Sequence, residues 1–169
     1  MVKTYSVAVL LVAAAALCMA ALMNVAEARK EKDTSLYVEG KVYCDTCRVQ
    51  FVTPISEYIA GATVTLLCRN RMTELVTVKI DAVTDKSGNY TIKVDNDHAD
   101  SICEVHLTHS PREDCNEVTA ELNAARILLT NNVGIVDPVR YANALGFMKK
   151  EALKNCGEVL KGMGNLPWV

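Results

Sequence analysis

Six widely spaced cysteines limit what this chain can fold into more than any other feature: Cys44, Cys47, Cys68, Cys103, Cys115 and Cys156. Whether they pair depends on the compartment, and the first 28 residues bear on that. That segment has one positive charge, Lys3, then a long apolar run, then the small-residue pattern Ala26-Glu27-Ala28. This is the layout of a secretory signal peptide, with cleavage expected after Ala28. A membrane anchor is the competing reading, because Val7 to Met23 nearly spans a bilayer, but no cluster of Lys or Arg precedes the run. A seventh cysteine, Cys18, leaves with the leader. In an oxidising compartment the remaining even set is expected to form three disulfides, with the connectivity left open by spacing alone.

The leader also accounts for the high apolar content. Of its 28 residues 23 are hydrophobic, against 50% for the whole chain. The formal charge of −2 is unchanged by its removal, because Lys3 and Glu27 leave together. So balanced a surface gives no reason to expect nucleic acid or an anionic membrane as partner. Residues 29–169 are expected to form a single domain with no further membrane span.

Alternating apolar residues dominate that domain. Strands are expected over Leu36 to Tyr43, Ala62 to Arg69, Glu74 to Thr84, Gly88 to Val94, Ser101 to His109 and Arg126 to Asn131. The turn residues Asp85 to Gly88 lie between two of these runs and predict a hairpin. Cys68 and Cys103 both fall on the inward face of their strands, so a bridge between sheet faces is sterically sensible. Ser56 to Ala60 reads as a minor helical turn. Lys149 to Leu160 has helical spacing and reads as a short C-terminal helix held through Cys156. The expected fold is all-β, an antiparallel β-sandwich or barrel of about seven strands with that helix.

Cys44-Asp45-Thr46-Cys47 admits two chemical readings. A redox dithiol needs a helix N-terminus beside a βαβ unit, and here the pair follows a strand. A structural zinc site needs a second close pair, and the other cysteines stand singly. Disulfide formation is the reading the pattern favours, with no metal and no cofactor.

The segment YVEGKVYCDTCR, residues 37–48, closely resembles the pollen allergen Ole e I and extensin family of plants. GATVTLLC (61–68), EDCNEV (113–118) and LGFMKKEALKNC (145–156) resemble further blocks of that family. The resemblance implies the pairs Cys44–Cys115, Cys47–Cys156 and Cys68–Cys103. It implies a secreted, often glycosylated plant protein linked to pollen-tube growth, the cell wall or receptor kinases, and it transfers no catalytic residue. One departure is Ala144, where the family usually has proline. With only four prolines the chain does not fit an extensin-like polyproline wall component.

Other motifs carry less. Asn89-Tyr90-Thr91 is an N-glycosylation sequon, placed by the predicted turn on an exposed hairpin. Asp95 to Asp100 resembles half of a calcium loop, but it lacks the glycine and terminal glutamate such loops need. Lys149-Lys150 could form a small basic patch for wall pectin. The expected function is a non-catalytic extracellular binding or signalling protein whose loops 48–61, 69–75, 95–101 and 132–144 face a receptor kinase or a wall polysaccharide or glycoprotein. The alternatives are a thiol oxidoreductase using Cys44 and Cys47, and a carrier holding an apolar ligand in a barrel cavity.

Overall fold

The computed structural model describes residues 35–164. The leader and its cleavage point at Ala28 lie outside them. Among the described residues ten strands and one helix follow in order: β1 Leu36–Asp45, β2 Glu57–Tyr58, β3 Thr63–Asn70, β4 Val76–Val83, β5 Asn89–Val94, β6 Ser101–His109, β7 Cys115–Glu117, β8 Ala124–Ile127, β9 Val139–Tyr141, β10 Leu145–Lys149 and α1 Cys156–Gly162. They form a six-stranded sheet built on β1 and a four-stranded sheet ordered β4-β3-β6-β8. The two make a sandwich and do not close into a barrel.

β1 is the spine. Its first half pairs with β5 on one side and β9 on the other, and its second half with β2 and β10. β9 and β10 run parallel to β1, an exception to the expected antiparallel sheet. They act as one interrupted strand. Tyr37 faces Val139 and Val42 faces Leu145, so β9–β10 carries one residue more than β1 across the break.

Alternation decides the core. Leu36, Val38, Val42 and Cys44 of β1 point inward with Tyr90, Ile92 and Val94 of β5. They meet Val64, Leu66 and Cys68 of β3, Val105 of β6, and Ala125 and Ile127 of β8. Phe147 and Leu145 close the centre. A continuous apolar core of side chains therefore fills the region between the sheets.

Four local expectations are corrected. β4 and β5 do not form a hairpin: β4 pairs with β3 and β5 with β1, in different sheets. The turn between them is a corner that crosses the sandwich. Gly88 makes it possible, with φ of +74° and an approach so close that a Cβ would lie 2.8 Å from the Val42 carbonyl. Ser56 to Ala60 is no helical turn, because Glu57 and Tyr58 pair as a strand with Cys44 and Tyr43. The C-terminal helix is confined to Cys156–Gly162, since Lys149 ends β10 and the Leu153 N–H is taken by the Thr46 carbonyl. The last expected strand is observed at Ala124–Ile127, starting two residues and ending four residues earlier, and it pairs with Cys103 to His106 of β6.

Gly40 faces Tyr90 across the β1–β5 pair, and the Tyr90 ring lies over the place a side chain would take. A Cβ on Gly40 would be 2.3 Å from the hydroxyl of the buried Tyr90 and 2.5 Å from its ring, so the ring would have to shift. Gly40→Ala is predicted to destabilise the fold by about 1–3 kcal/mol, the usual cost of overpacking a close-packed site. Thermal unfolding by circular dichroism checks it; an unchanged melting temperature would contradict this packing.

Candidate functional site

The residues of the cysteine motif are brought together at the end of β1, and the geometry there is that of a clasp. Cys44 bonds to Cys115 and Cys47 to Cys156, with Cα separations of 6.0 and 5.5 Å. Cys68 bonds to Cys103 at 4.0 Å. That third bridge lies within one sheet, between directly facing residues of β3 and β6, and so does not join the two sheet faces. The inward alternation put both sulfurs on one face, and adjacency of the strands did the rest.

Asp45 organises the loop between the first two bridges. It is fully buried, and its carboxylate accepts the N–H of Cys47 at 3.2 Å and of Gln50 at 2.7 Å. Buried Thr46 donates its hydroxyl to the Ile55 carbonyl. These bonds hold Arg48 and Gln50 in the left-handed region, with φ of 57° and 66°. Arg48 then reaches Glu117 on β7 and the Lys149 carbonyl on β10. Arg112 binds Glu57 and Asp114, and Lys149 binds Asp114 as well. The Arg112 hydrogen bonds and then those of Lys149 hold the Asp114 carboxyl well below the usual carboxylate range. Lys149 is thus engaged in an ion pair, not displayed to pectin.

This arrangement has no redox chemistry to offer. Cys44 and Cys47 are bonded to different partners and buried, so the dithiol a CxxC oxidoreductase cycles does not exist. Among the described residues no group of three His, Cys, Asp or Glu side chains gathers as a metal site. The half calcium loop has a structural task. Asp97 accepts hydrogen bonds from Asn131, Thr130 and Ala99, which keep its carboxyl below its ordinary range and tie segment 95–101 to the residues after β8.

The outward face of the six-stranded sheet differs. Over its second half Tyr43 lies across Gly146 beneath Leu122, and burial with the nearby Asp45 charge pushes its phenol up to about 12. Over its first half the face is open. A depression of about 590 Å³ sits at the β9–β10 bulge, lined by Glu39, Lys41, Asp85, Asn89, Thr91, Tyr141, Ala142 and Ala144 among others. Tyr141 is 74% exposed, an aromatic ring standing free at the rim. Lys41 holds its ammonium 4.8 Å from the centre of the Tyr58 ring. Asp85 is kept ionised by the N–H groups of Asn89 and Ser87, which lower its pKa.

Asn89 is here, opposite Lys41 as the first residue of β5, and half-buried. The sequon therefore opens on the depression and does not sit on the exposed hairpin turn that the sequence suggested. Of the four expected loops, 132–144 contributes Tyr141, Ala142 and Ala144 to it. Glu39 and Lys41 lie inside the family-like segment 37–48 and Asp85 in the expected turn, but none of them was singled out as a binding residue, and Tyr141 carried no motif. The one signal in the chain was the unusual glycine, Gly40, between two charged residues of a strand.

The chain matches the family described as "Pollen protein Ole e 1 like" over residues 34–164. It is 51% identical over 152 residues to the anther-specific protein LAT52 of Solanum lycopersicum, covering 90% of this chain and 92% of that one. It is 47% identical over 161 residues to an Olee1-like protein of Betula pendula, covering 94% and 95%. The crystal structure of the major plantain pollen allergen Pla l 1 superposes with a TM-score of 0.66 at 32% identity, over 72% of this chain and 99% of that chain. This chain belongs to the Ole e 1-like pollen protein family. These relatives are pollen proteins and allergens, not known enzymes, and such relatives and the disulfides fit a secreted protein. Among the described residues no helix is long and apolar enough to cross a membrane.

Two predictions follow from the clasp. Replacing Cys47 and Cys156 together by serine is predicted to cost about 2–5 kcal/mol in denaturant unfolding, because the bridge spans 109 residues. A loss below 1 kcal/mol, on the order of the unfolding error, would contradict it. Asp114→Asn is predicted to lower the melting temperature fully above about pH 5. The difference should shrink as pH falls through the lowered pKa of Asp114, where the native carboxyl is protonated too. A gap that persists unchanged in acid would contradict the ion pairs.

Proposed function

We propose that this is an exported, non-catalytic pollen protein that binds a neutral oligosaccharide of the cell wall in the depression at the β9–β10 bulge. One observation carries the reading: an exposed aromatic ring, Tyr141, stands beside hydrogen-bonding groups on a rigid sheet. Sugars present an apolar C–H face and a hydroxyl edge. A free ring accepts the first, and carboxylates, an ammonium and an amide bind the second. Charge selects among sugars. Glu39 and Asp85 place two carboxylates against the single ammonium of Lys41, which disfavours polyuronates and suits neutral chains. Export rests on the leader and on the disulfides.

A second reading is a receptor kinase docking on segment 132–138. Ile135 is 50% exposed and Val136 wholly exposed, which suits a protein surface better than a sugar.

Calorimetry with neutral galactan and xyloglucan oligosaccharides, beside oligogalacturonides, tests the first reading. Tyr141→Ala is predicted to weaken binding of the neutral chains at least about tenfold, the loss of one stacking contact, while Tyr141→Trp preserves it. No saturable binding of any neutral chain would overturn it. A glycan on Asn89 would fill the same depression, so on modified protein its enzymatic removal should raise the affinity.

A further inference from the structure

β4 ends the four-stranded sheet with one side unpaired among the described residues. Two features make that edge unusual. Val78, Ile80 and Ala82 pack on the core yet are only half-buried, as though the sheet stopped one strand early. Lys79 and Asp81 flank Ile80 on the outward face, and both are exposed.

The direction of the main-chain groups is fixed by the corner. Thr84 gives its N–H to the Ala62 carbonyl and its own carbonyl accepts from Gly61, so Thr84 bonds toward β3. Alternation then turns Ala82, Ile80 and Val78 toward β3 as well, leaving Val83, Asp81 and Lys79 with N–H and C=O groups on the open side. Beyond Val78 a register shift opposite Cys68 and Arg69 ends the regular edge.

We propose that β4 pairs antiparallel with β4 of a second copy of this chain, about a two-fold axis at Ile80. In that register Lys79 of each copy faces Asp81 of the other as a hydrogen-bonded pair, and Ile80 faces Ile80 at the closer, non-hydrogen-bonded position. Val78 and Ala82 cross one another and are covered on the core side. The charges choose the register. An axis at Lys79 or at Asp81 would set like charges against each other, and charged edge residues of this kind ordinarily prevent pairing. Here they disfavour those two registers and, with the axis at Ile80, meet as two opposite-charge pairs. Asp81 accepts the Thr65 hydroxyl through one oxygen, which leaves the second for the lysine. The contact is a single strand pair, so the dimer is a weak, concentration-dependent one. It lies in the other sheet from the proposed sugar site and does not depend on it.

Sedimentation equilibrium on the exported chain, disulfides intact, tests this. Wild type is expected to dimerise reversibly as concentration rises. Lys79→Asp and Asp81→Lys should each weaken self-association at least about tenfold, since each sets like charges face to face twice. Mixing the two single variants should restore a heterodimer, because opposite charges then meet at both positions, and the double variant should dimerise alone. Near-UV circular dichroism verifies that each variant is folded. Because the mixture contains both altered chains, its recovery cannot come from a folding defect. A wild type monomeric throughout, a dimer indifferent to Lys79→Asp, or a mixture that stays monomeric would each overturn the proposal.

Discussion

Everything in this molecule hangs on β1. It is hydrogen-bonded on both edges, to β5 and β2 on one side and to β9 and β10 on the other. The partners on the second side arrive about a hundred residues later in the chain, and they run parallel to it. Parallel pairing across so long a connection carries a large loop-closure cost. The two bridges at the end of β1 offset that cost, because they tie Cys44 to β7, which pairs with β10, and Cys47 to Cys156, which follows β10 in sequence. Strand and disulfides are thus one device.

Seen this way, the family signature is a folding motif. Asp45 is buried to organise a loop, Arg48 to tie that loop to β7 and β10, and Arg112 with Asp114 to hold β2 and Lys149. None of these groups is left over for a ligand. The open half of the same sheet takes Glu39 and Lys41 from the first part of that signature, and Asp85, Asn89 and Tyr141 from outside it. The clasp and the open depression are therefore placed at opposite ends of one strand, and a rigid frame lowers the ordering cost of the binding proposed there.

The long half-buried strands were legible because period-2 alternation survives in β1, β3, β5 and β6. β10 was not, because Leu145, Gly146, Phe147 and Met148 are all buried, and a strand covered on both faces has no alternation to read. β2, β7 and β9 are two or three residues long, too short for any pattern. The β4–β5 hairpin failed for a different reason. Turn chemistry fixes a reversal of the chain but not the sheet that the next strand joins, and Gly88 packed against Val42 sends it across the sandwich. The open depression was illegible for a similar reason, since it depends on one extra residue in β9–β10 relative to β1.

The central claim is that the CxxC is split between two structural bridges that lock β1 to late-arriving segments. Peptide mapping of the non-reduced protein tests it most directly. Fragments linking Cys44 to Cys115 and Cys47 to Cys156 are expected, with no free thiol at either position. A fragment bridging Cys44 to Cys47, or alkylation of both without reduction, would contradict it and return the motif to redox chemistry.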